Sequence, residues 1–147
     1  MASKEILLYP KHTDILRERS TPVRNFNRQT HRLISDLKDT LTAHPDGIGL
    51  AAPQIGECIR VVLVCLGVDG EQGKTVSPPI ALINPEIIES GEARKNFDGC
   101  LSFPGLFGET VRPHFLRVTG ITEFGKPFDR VFSGFDAVVV HHEIDHL

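Results

Sequence analysis

The chain has 147 residues, of which 40% are hydrophobic and 24% are charged, and its formal net charge is -3 at pH 7. A chain of this length buries about two-thirds of its extended surface, so we expect residues 1–147 to form one globular domain. The composition excludes a disordered or repetitive chain, and the net charge provides no basic surface that would predict direct DNA binding.

The amino terminus, MASKEILLYP, contains one apolar run at residues 6–9, which Pro10 interrupts. This run is too short for the core of a signal peptide or for a membrane span. Three cysteines, an odd number, match neither a disulfide framework nor a paired zinc motif. We therefore expect a cytoplasmic protein without membrane association, in which Cys65 is a core thiol and Cys58 lies at a strand edge.

The first predicted element is a helix within residues 21–43. Its apolar residues recur at helical spacing, and Pro45 with Gly47 ends the run. The apolar positions are Phe26, Leu33, Ile34, Leu37 and Leu41. We expect this helix to pack one face on the core.

Short strands are predicted in the middle of the chain, where β-branched runs alternate with glycine and proline. They cover residues 59–66, 80–83, 87–90, 96–101, 116–123 and 127–132. A hairpin around residues 124–126 joins the last two. Because the strands lie between an early and a late helix without a linker, we expect an α+β fold with antiparallel strands around a central terminal helix.

The terminal helix carries HHEIDHL, residues 141–147. Ser133 and Asp136 match a capping box at its start. One stripe of the helix is expected to face the core, and it consists of Phe135, Val138, Val139, His142 and His146.

His142 and His146 stand one helical turn apart, about 6 Å, which suits two imidazoles that bind one metal ion. Glu143 lies beside them at the general-base position of HExxH hydrolases. The alternative is a chance match in which the buried histidines are merely hydrogen-bonded. The pattern favours a metal-dependent hydrolase.

A third metal ligand is expected upstream, because only Leu147 follows His146. Cys100 in DGCLSFPG is the best candidate, since a thiolate is a good ligand for zinc or iron. Taken alone, Cys100 would more often be a packed cysteine.

The segments GIGLAAPQIG, DGCLSFPG and HHEIDHL, in this order and at this spacing, resemble the three motifs of peptide deformylases. The resemblance covers residues 6–147 and is to a short form that lacks the C-terminal extension. A natural short form of the bacteriophage type and a truncated chain are both compatible with this resemblance. It implies the deformylase fold and removal of the N-formyl group from the initiator formyl-methionine of nascent polypeptides, with release of formate.

The resemblance also implies roles for individual residues. Cys100, His142 and His146 would hold the metal, and Glu143 would act as base and then acid while a metal-bound water attacks the formyl carbon. The side-chain amide of Gln54 and the backbone N–H of Leu101 would stabilise the oxyanion. Gly49 would bind the substrate main chain, and the methionine pocket would be lined by Ile48, Phe135, Val138 and Val139.

Three positions depart from the family pattern. Asp98 replaces the usual Glu, His141 replaces the usual Gln, and Asn96 replaces an apolar residue. We expect Asp98 at the mouth of the site to alter substrate preference. Arg112 matches a family arginine and is expected to pair with Asp98 or Asp145.

The cofactor implied by the resemblance is one divalent metal ion, Fe²⁺ in vivo, with Zn²⁺, Ni²⁺ and Co²⁺ as alternatives. The partners implied are N-formyl-methionyl nascent peptides and the ribosome exit region, in a bacterial cell or a phage-infected host. We expect a monomer. The rival interpretations are another class of metallopeptidase, an enzyme with Cys100 as nucleophile, and a binding module without activity.

Overall fold

The computed structural model describes residues 3–4, 6, 19–44, 47–67, 78–100 and 103–147, without the side chains of residues 94–110. In chain order the elements are α1 (Arg28–Thr42), β1 (Gly49–Ala51), a 3₁₀ turn (Ala52–Ile55), β2 (Val61–Val64), β3 (Ile80–Cys100), β4 (Phe103–Ile121), β5 (Pro127–Ser133) and α2 (Phe135–Asp145). The described strands form one antiparallel sheet in the order β1-β2-β3-β4-β5. The predicted α+β class is confirmed.

Helix α1 begins later than the first residue of the predicted range. The side chain of Asn27 accepts hydrogen bonds from the backbone N–H groups of Gln29 and Thr30 at 3.0 and 3.2 Å, which caps the helix. Thr21 instead forms a parallel bridge with Ile59, so this end of the predicted segment is extended. The buried face of α1 contains the predicted apolar residues Leu33, Ile34, Leu37 and Leu41.

The sheet is buried between the two helices at β2, whose four residues are all fully buried. Val61 and Leu63 pack in a cluster with the apolar face of α1. Val62 and Val64 point the other way and pack in a cluster with α2. Strand alternation thus places α1 and α2 on opposite faces of the sheet.

Strands β3 and β4 form one long hairpin, and the prediction of several short strands here is wrong. Pairing continues from Ile83↔Ile121 to Cys100↔Phe103 through three register irregularities. Asn84 and Glu92 have positive φ values of 51° and 56°. Such irregularities shift the alternation of the side chains, so a local pattern divides one strand into pieces.

Of the two predictions made for the ends of β5, one is confirmed and one is wrong. The predicted hairpin before it is confirmed, since the Thr122 N–H donates to the carbonyl of Lys126 at 2.8 Å. The predicted capping box after it is wrong, because Ser133 belongs to β5 and the N-cap of α2 is Gly134, with φ 62°. Asp136 accepts a hydrogen bond from the Gly67 N–H at 2.8 Å instead. No helix in the described ranges is both long and apolar enough to cross a membrane.

Candidate active site

Helix α2 carries the HExxH residues into the interior of the molecule. It packs on β4 and also contacts β1, β2 and β5. Ala137, Val138, Val139 and Val140 are buried, so the helix is covered on more than the single stripe that the sequence predicts. The helix ends at Asp145, and His146 is its C-cap.

His142 and His146 lie on the same side of α2, as predicted. Their ring centroids are 5.2 Å apart, with 60° between the ring planes. The pKa of His146 is lowered to about 4, first by burial and then by the neighbouring His142. At neutral pH the His146 ring is therefore uncharged, which is the form that binds a metal.

Glu143 is the buried acid of the site, with 5% of its surface exposed. Burial raises its pKa to about 8, and the positive charge of Arg112 partly opposes the rise. Among the residues that the structure describes, its Oε1 is a buried oxygen without a hydrogen-bond partner. A buried carboxyl with an unsatisfied oxygen is suited to proton transfer with a group bound beside it.

The GIGLAAPQ segment meets the HExxH segment in the tertiary structure. Gly49 begins β1, and a Cβ atom added to it would lie 2.5 Å from Oε2 of Glu143. Gln54 lies in the 3₁₀ turn that follows and is 1% exposed. Its Oε1 accepts a hydrogen bond from the Ala51 N–H at 2.9 Å, which anchors the side-chain amide.

The four predicted pocket residues are all buried or partly buried. Ile48 and Phe135 are partly buried and pack against the clusters on both faces of the sheet. Val138 and Val139 are each 3% exposed, and Val139 belongs to the cluster on the α2 side. Their lining of a methionine pocket stays a prediction.

The DGCLS segment is described only in part. Cys100 is the last residue of β3, and its backbone pairs with Phe103. Asp98 pairs with Gly108, but the side chains of both predicted residues, Cys100 and Asp98, lie outside the described atoms, and Leu101 lies outside the described residues. Within the described side chains there is no group of three His, Cys, Asp or Glu that could hold a metal. The ligand role of Cys100 stays a prediction.

Arg112 connects β4 to the end of α2. Its side chain is 10% exposed, and Nη1 donates to Oδ2 of Asp145 at 2.7 Å and lies 2.8 Å from Nδ1 of His141. The predicted pairing of Arg112 with Asp145 is confirmed. The contact between Arg112 and His141 was not predicted. The position of His141 next to His142 in the sequence does not indicate which residue of β4 its ring contacts.

Cys65 is a second residue whose place was predicted only in part. It is buried as a core thiol, as expected. Burial raises its pKa, and so does the charge of Glu143, so the thiol lies near the acid of the site. The spacing between residues 65 and 143 offers no local signal for this proximity.

Known proteins are similar to this chain along nearly its whole length. A family model described as polypeptide deformylase matches residues 3–147. Peptide deformylase 1 of Bacillus subtilis is 37% identical over 147 residues, which cover 100% of this chain and 86% of that protein.

Solved structures extend the likeness to three dimensions. A peptide deformylase from Legionella pneumophila superposes with a TM-score of 0.86 at 36% identity, covering 99% of this chain and 80% of that one. A Met-Ala-Ser-bound class I type b peptide deformylase from Acinetobacter baumannii has a TM-score of 0.89 at 28% identity, covering 99% and 93%. With the GIGLAAPQ and HExxH segments in contact around Glu143, these matches establish that the chain belongs to the peptide deformylase family.

Proposed function

We propose that this protein removes the N-formyl group from the initiator formyl-methionine of nascent polypeptides and releases formate. The observation that carries the proposal is a buried Glu143 that lies against Gly49 and has an oxygen without a hydrogen-bond partner among the described residues, on the helix that carries the His142 and His146 pair. The family supports this reaction, and so does the Met-Ala-Ser bound to the Acinetobacter baumannii protein.

We propose Cys100, His142 and His146 as the ligands of one divalent metal ion. The pair of imidazole rings fits such an ion, since they are 5.2 Å apart and His146 is uncharged at neutral pH. Oε1 of Glu143, which lies on the same helix and has no hydrogen-bond partner among the described residues, fits a polar group bound at the site. When bound, the metal would lower the pKa of water and polarise the formyl carbonyl. We propose Fe²⁺, with Zn²⁺, Ni²⁺ and Co²⁺ as alternatives.

Glu143 would move the proton in this reaction. Its carboxylate would take a proton from the attacking water as the C–O bond to the formyl carbon forms. The same proton would pass to the nitrogen as the C–N bond breaks, which leaves formate and a free amino terminus. Burial raises the pKa of Glu143 in the metal-free site, and the positive charge of a bound metal would favour the carboxylate that acts as the base.

Gln54 and Leu101 would stabilise the negative charge on the formyl oxygen. The hydrogen bond from the Ala51 N–H to Oε1 of Gln54 fixes the orientation of the amide, whose NH₂ group can then donate. The backbone N–H of Leu101 would be the second donor. Loss of one such donor typically lowers the rate about 100- to 1,000-fold.

The substrate main chain would add to the sheet as a further strand at Gly49. In the described sheet β1 pairs with β2 alone and lies at the edge, which supports this placement. The methionine side chain would enter among apolar residues that accept a flexible thioether, and Asp98 would stand at the mouth. The proposed pocket residues are Ile48, Phe135, Val138 and Val139.

The proposed substrate also bears on the cellular setting. We propose that residues 1–147 act as one catalytic domain, as a monomer in the cytoplasm near the ribosome exit region. The host would be a bacterial cell or a phage-infected one. Sedimentation of the active protein checks the monomer, and cosedimentation with translating ribosomes checks the docking.

Formate release from formyl-Met-Ala-Ser tests the proposed reaction. We expect turnover by the anaerobically purified protein, loss with chelator, and recovery when Fe²⁺ is restored. Glu143→Gln should retain the metal and lose the activity. Turnover that survives chelator and is lost on alkylation would favour Cys100 as a nucleophile. Cleavage of internal peptide bonds without formate release would favour another metallopeptidase, and metal binding without turnover of either substrate would favour a binding module.

A further inference from the structure

Gly49 of β1 lies so close to Glu143 of α2 that a side chain at position 49 would overlap the glutamate. A Cβ atom on Gly49 would lie 2.5 Å from Oε2, 2.7 Å from Cγ and 2.8 Å from Cδ of Glu143. Real Cβ atoms essentially never come within 3.0 Å of another heavy atom. A side chain at position 49 and the observed position of Glu143 therefore exclude each other.

The backbone conformation at position 49 does not require a glycine. The glycines with positive φ in the described ranges are Gly56, Gly67, Gly125 and Gly134, and Gly49 is not among them. Gly49 is an ordinary strand residue, whose backbone alanine can adopt without strain. The requirement for glycine comes from the space that Glu143 occupies.

Strand β1 cannot relieve the crowding by moving away. Gly49 pairs with Val64 of β2, and the carbonyl of Ile48 accepts a hydrogen bond from the Cys65 N–H at 2.8 Å. Leu50, the next residue, is fully buried. A shift of β1 would break this pairing and disturb the core, whereas the carboxyl end of Glu143 can rotate.

The helix on the other side is also held. Val139 and Val140, the residues one turn before Glu143, are 3% and 0% exposed and pack in the cluster on the α2 side. The Cα atom of residue 143 is therefore fixed by its helix. An added methyl group at position 49 must displace the carboxyl group of Glu143.

We propose that Gly49 is a positioning residue for Glu143. Because Gly49 has no Cβ atom, the carboxyl group of Glu143 can occupy the space beside β1, and this space fixes its position. The inference rests on the proposed function, in which Glu143 is the base. It is separate from the proposed binding of the substrate main chain, which uses the N–H and C=O groups that any residue at position 49 would keep.

The substitution Gly49→Ala tests the proposal. We expect kcat for formyl-Met-Ala-Ser to fall about 100-fold, the loss typical of a misplacement of about 1 Å, with little change in KM. Gly91→Ala is the matched control, since this glycine of β3 has no positive φ and nothing lies within 4 Å of an added Cβ. It should keep the parental kcat.

A double-mutant cycle with Glu143→Ala separates an effect of Gly49 that acts through Glu143 from a general effect on stability. In the metal-free protein, Gly49→Ala should lower the urea midpoint of unfolding when Glu143 is present. It should leave the midpoint unchanged in the Glu143→Ala background, where the added methyl group has space. This readout does not depend on activity.

The outcomes distinguish the positioning role of Gly49 from the proposed role of Glu143 as the base. If Glu143→Gln is inactive while Gly49→Ala turns over at the parental kcat, the positioning role is overturned and the proposed base stands. If Glu143→Gln turns over at the parental rate, the proposed base itself is wrong. An equal midpoint shift in both backgrounds, or failure of both Gly49→Ala proteins to fold, would show that Gly49 acts on something other than Glu143.

Discussion

Replacement of Arg112 by alanine should loosen the end of α2 that carries His146. Arg112 lies on β4, and its Nη1 contacts both Asp145 and His141, which are one helical turn apart. The next residue after Asp145 is His146, the C-cap of the helix and a proposed metal ligand.

The size of the effect follows from the exposure of the groups. The Arg112 side chain is 10% exposed and that of Asp145 is 59% exposed, so water competes at the carboxylate end and the pair contributes about 1 kcal/mol. The contact with His141, whose side chain is 24% exposed, contributes about 1 kcal/mol more. Loss of the packed arginine stem adds up to about 1 kcal/mol. We expect Arg112→Ala to destabilise the protein by about 2–3 kcal/mol.

Urea unfolding of the chelator-treated protein, followed by circular dichroism, measures this loss. Arg117→Ala is the matched control, since Arg117 lies on the same strand and pairs with Asp129 and Glu89 but is more exposed. It should lower the midpoint less. Transfer of metal to a coloured chelator should be at least about tenfold faster for Arg112→Ala, which corresponds to about 1.4 kcal/mol. Equal midpoints for the two alanine variants would refute the assigned contribution of the buried arginine.

Three further substitutions test other parts of the structure. Burial raises the pKa of Glu143 to about 8 from 4.5, so its contribution to stability is complete below pH 4.5 and is lost as the pH rises through 8. Urea unfolding of metal-free Glu143→Gln should therefore show increasing stability relative to the parent from pH 5 to 8, and a constant difference would contradict the burial. Gln54→Ala should lower kcat for formate release about 100- to 1,000-fold, and a loss below tenfold would remove Gln54 from the oxyanion site. Asn27→Ala should cost about 1 kcal/mol in urea unfolding, because α1 loses its cap, and an unchanged midpoint would show that the cap is dispensable.

Local periodicity predicted the elements whose pattern is short and regular. The apolar face of α1 and the side shared by His142 and His146 follow from helical spacing, and both agree with the structure. The start of α2 was mispredicted because Ser133 is used in the pairing of β5 with β4, which outweighs its capping preference. The long hairpin of β3 and β4 was divided into pieces because its irregularities interrupt the alternation that a local reading depends on.

The sequence by itself determined the α+β class, the helix that presents His142 and His146, and the family, since these depend on residue order and spacing. Only the tertiary structure decided that Gly49 lies against Glu143 and that Arg112 reaches both His141 and Asp145. These contacts join residues far apart in the chain, where no local period relates them. They arise because the sheet brings β1 and β4 against the same helix, so the environment of the proposed base is a property of the packing.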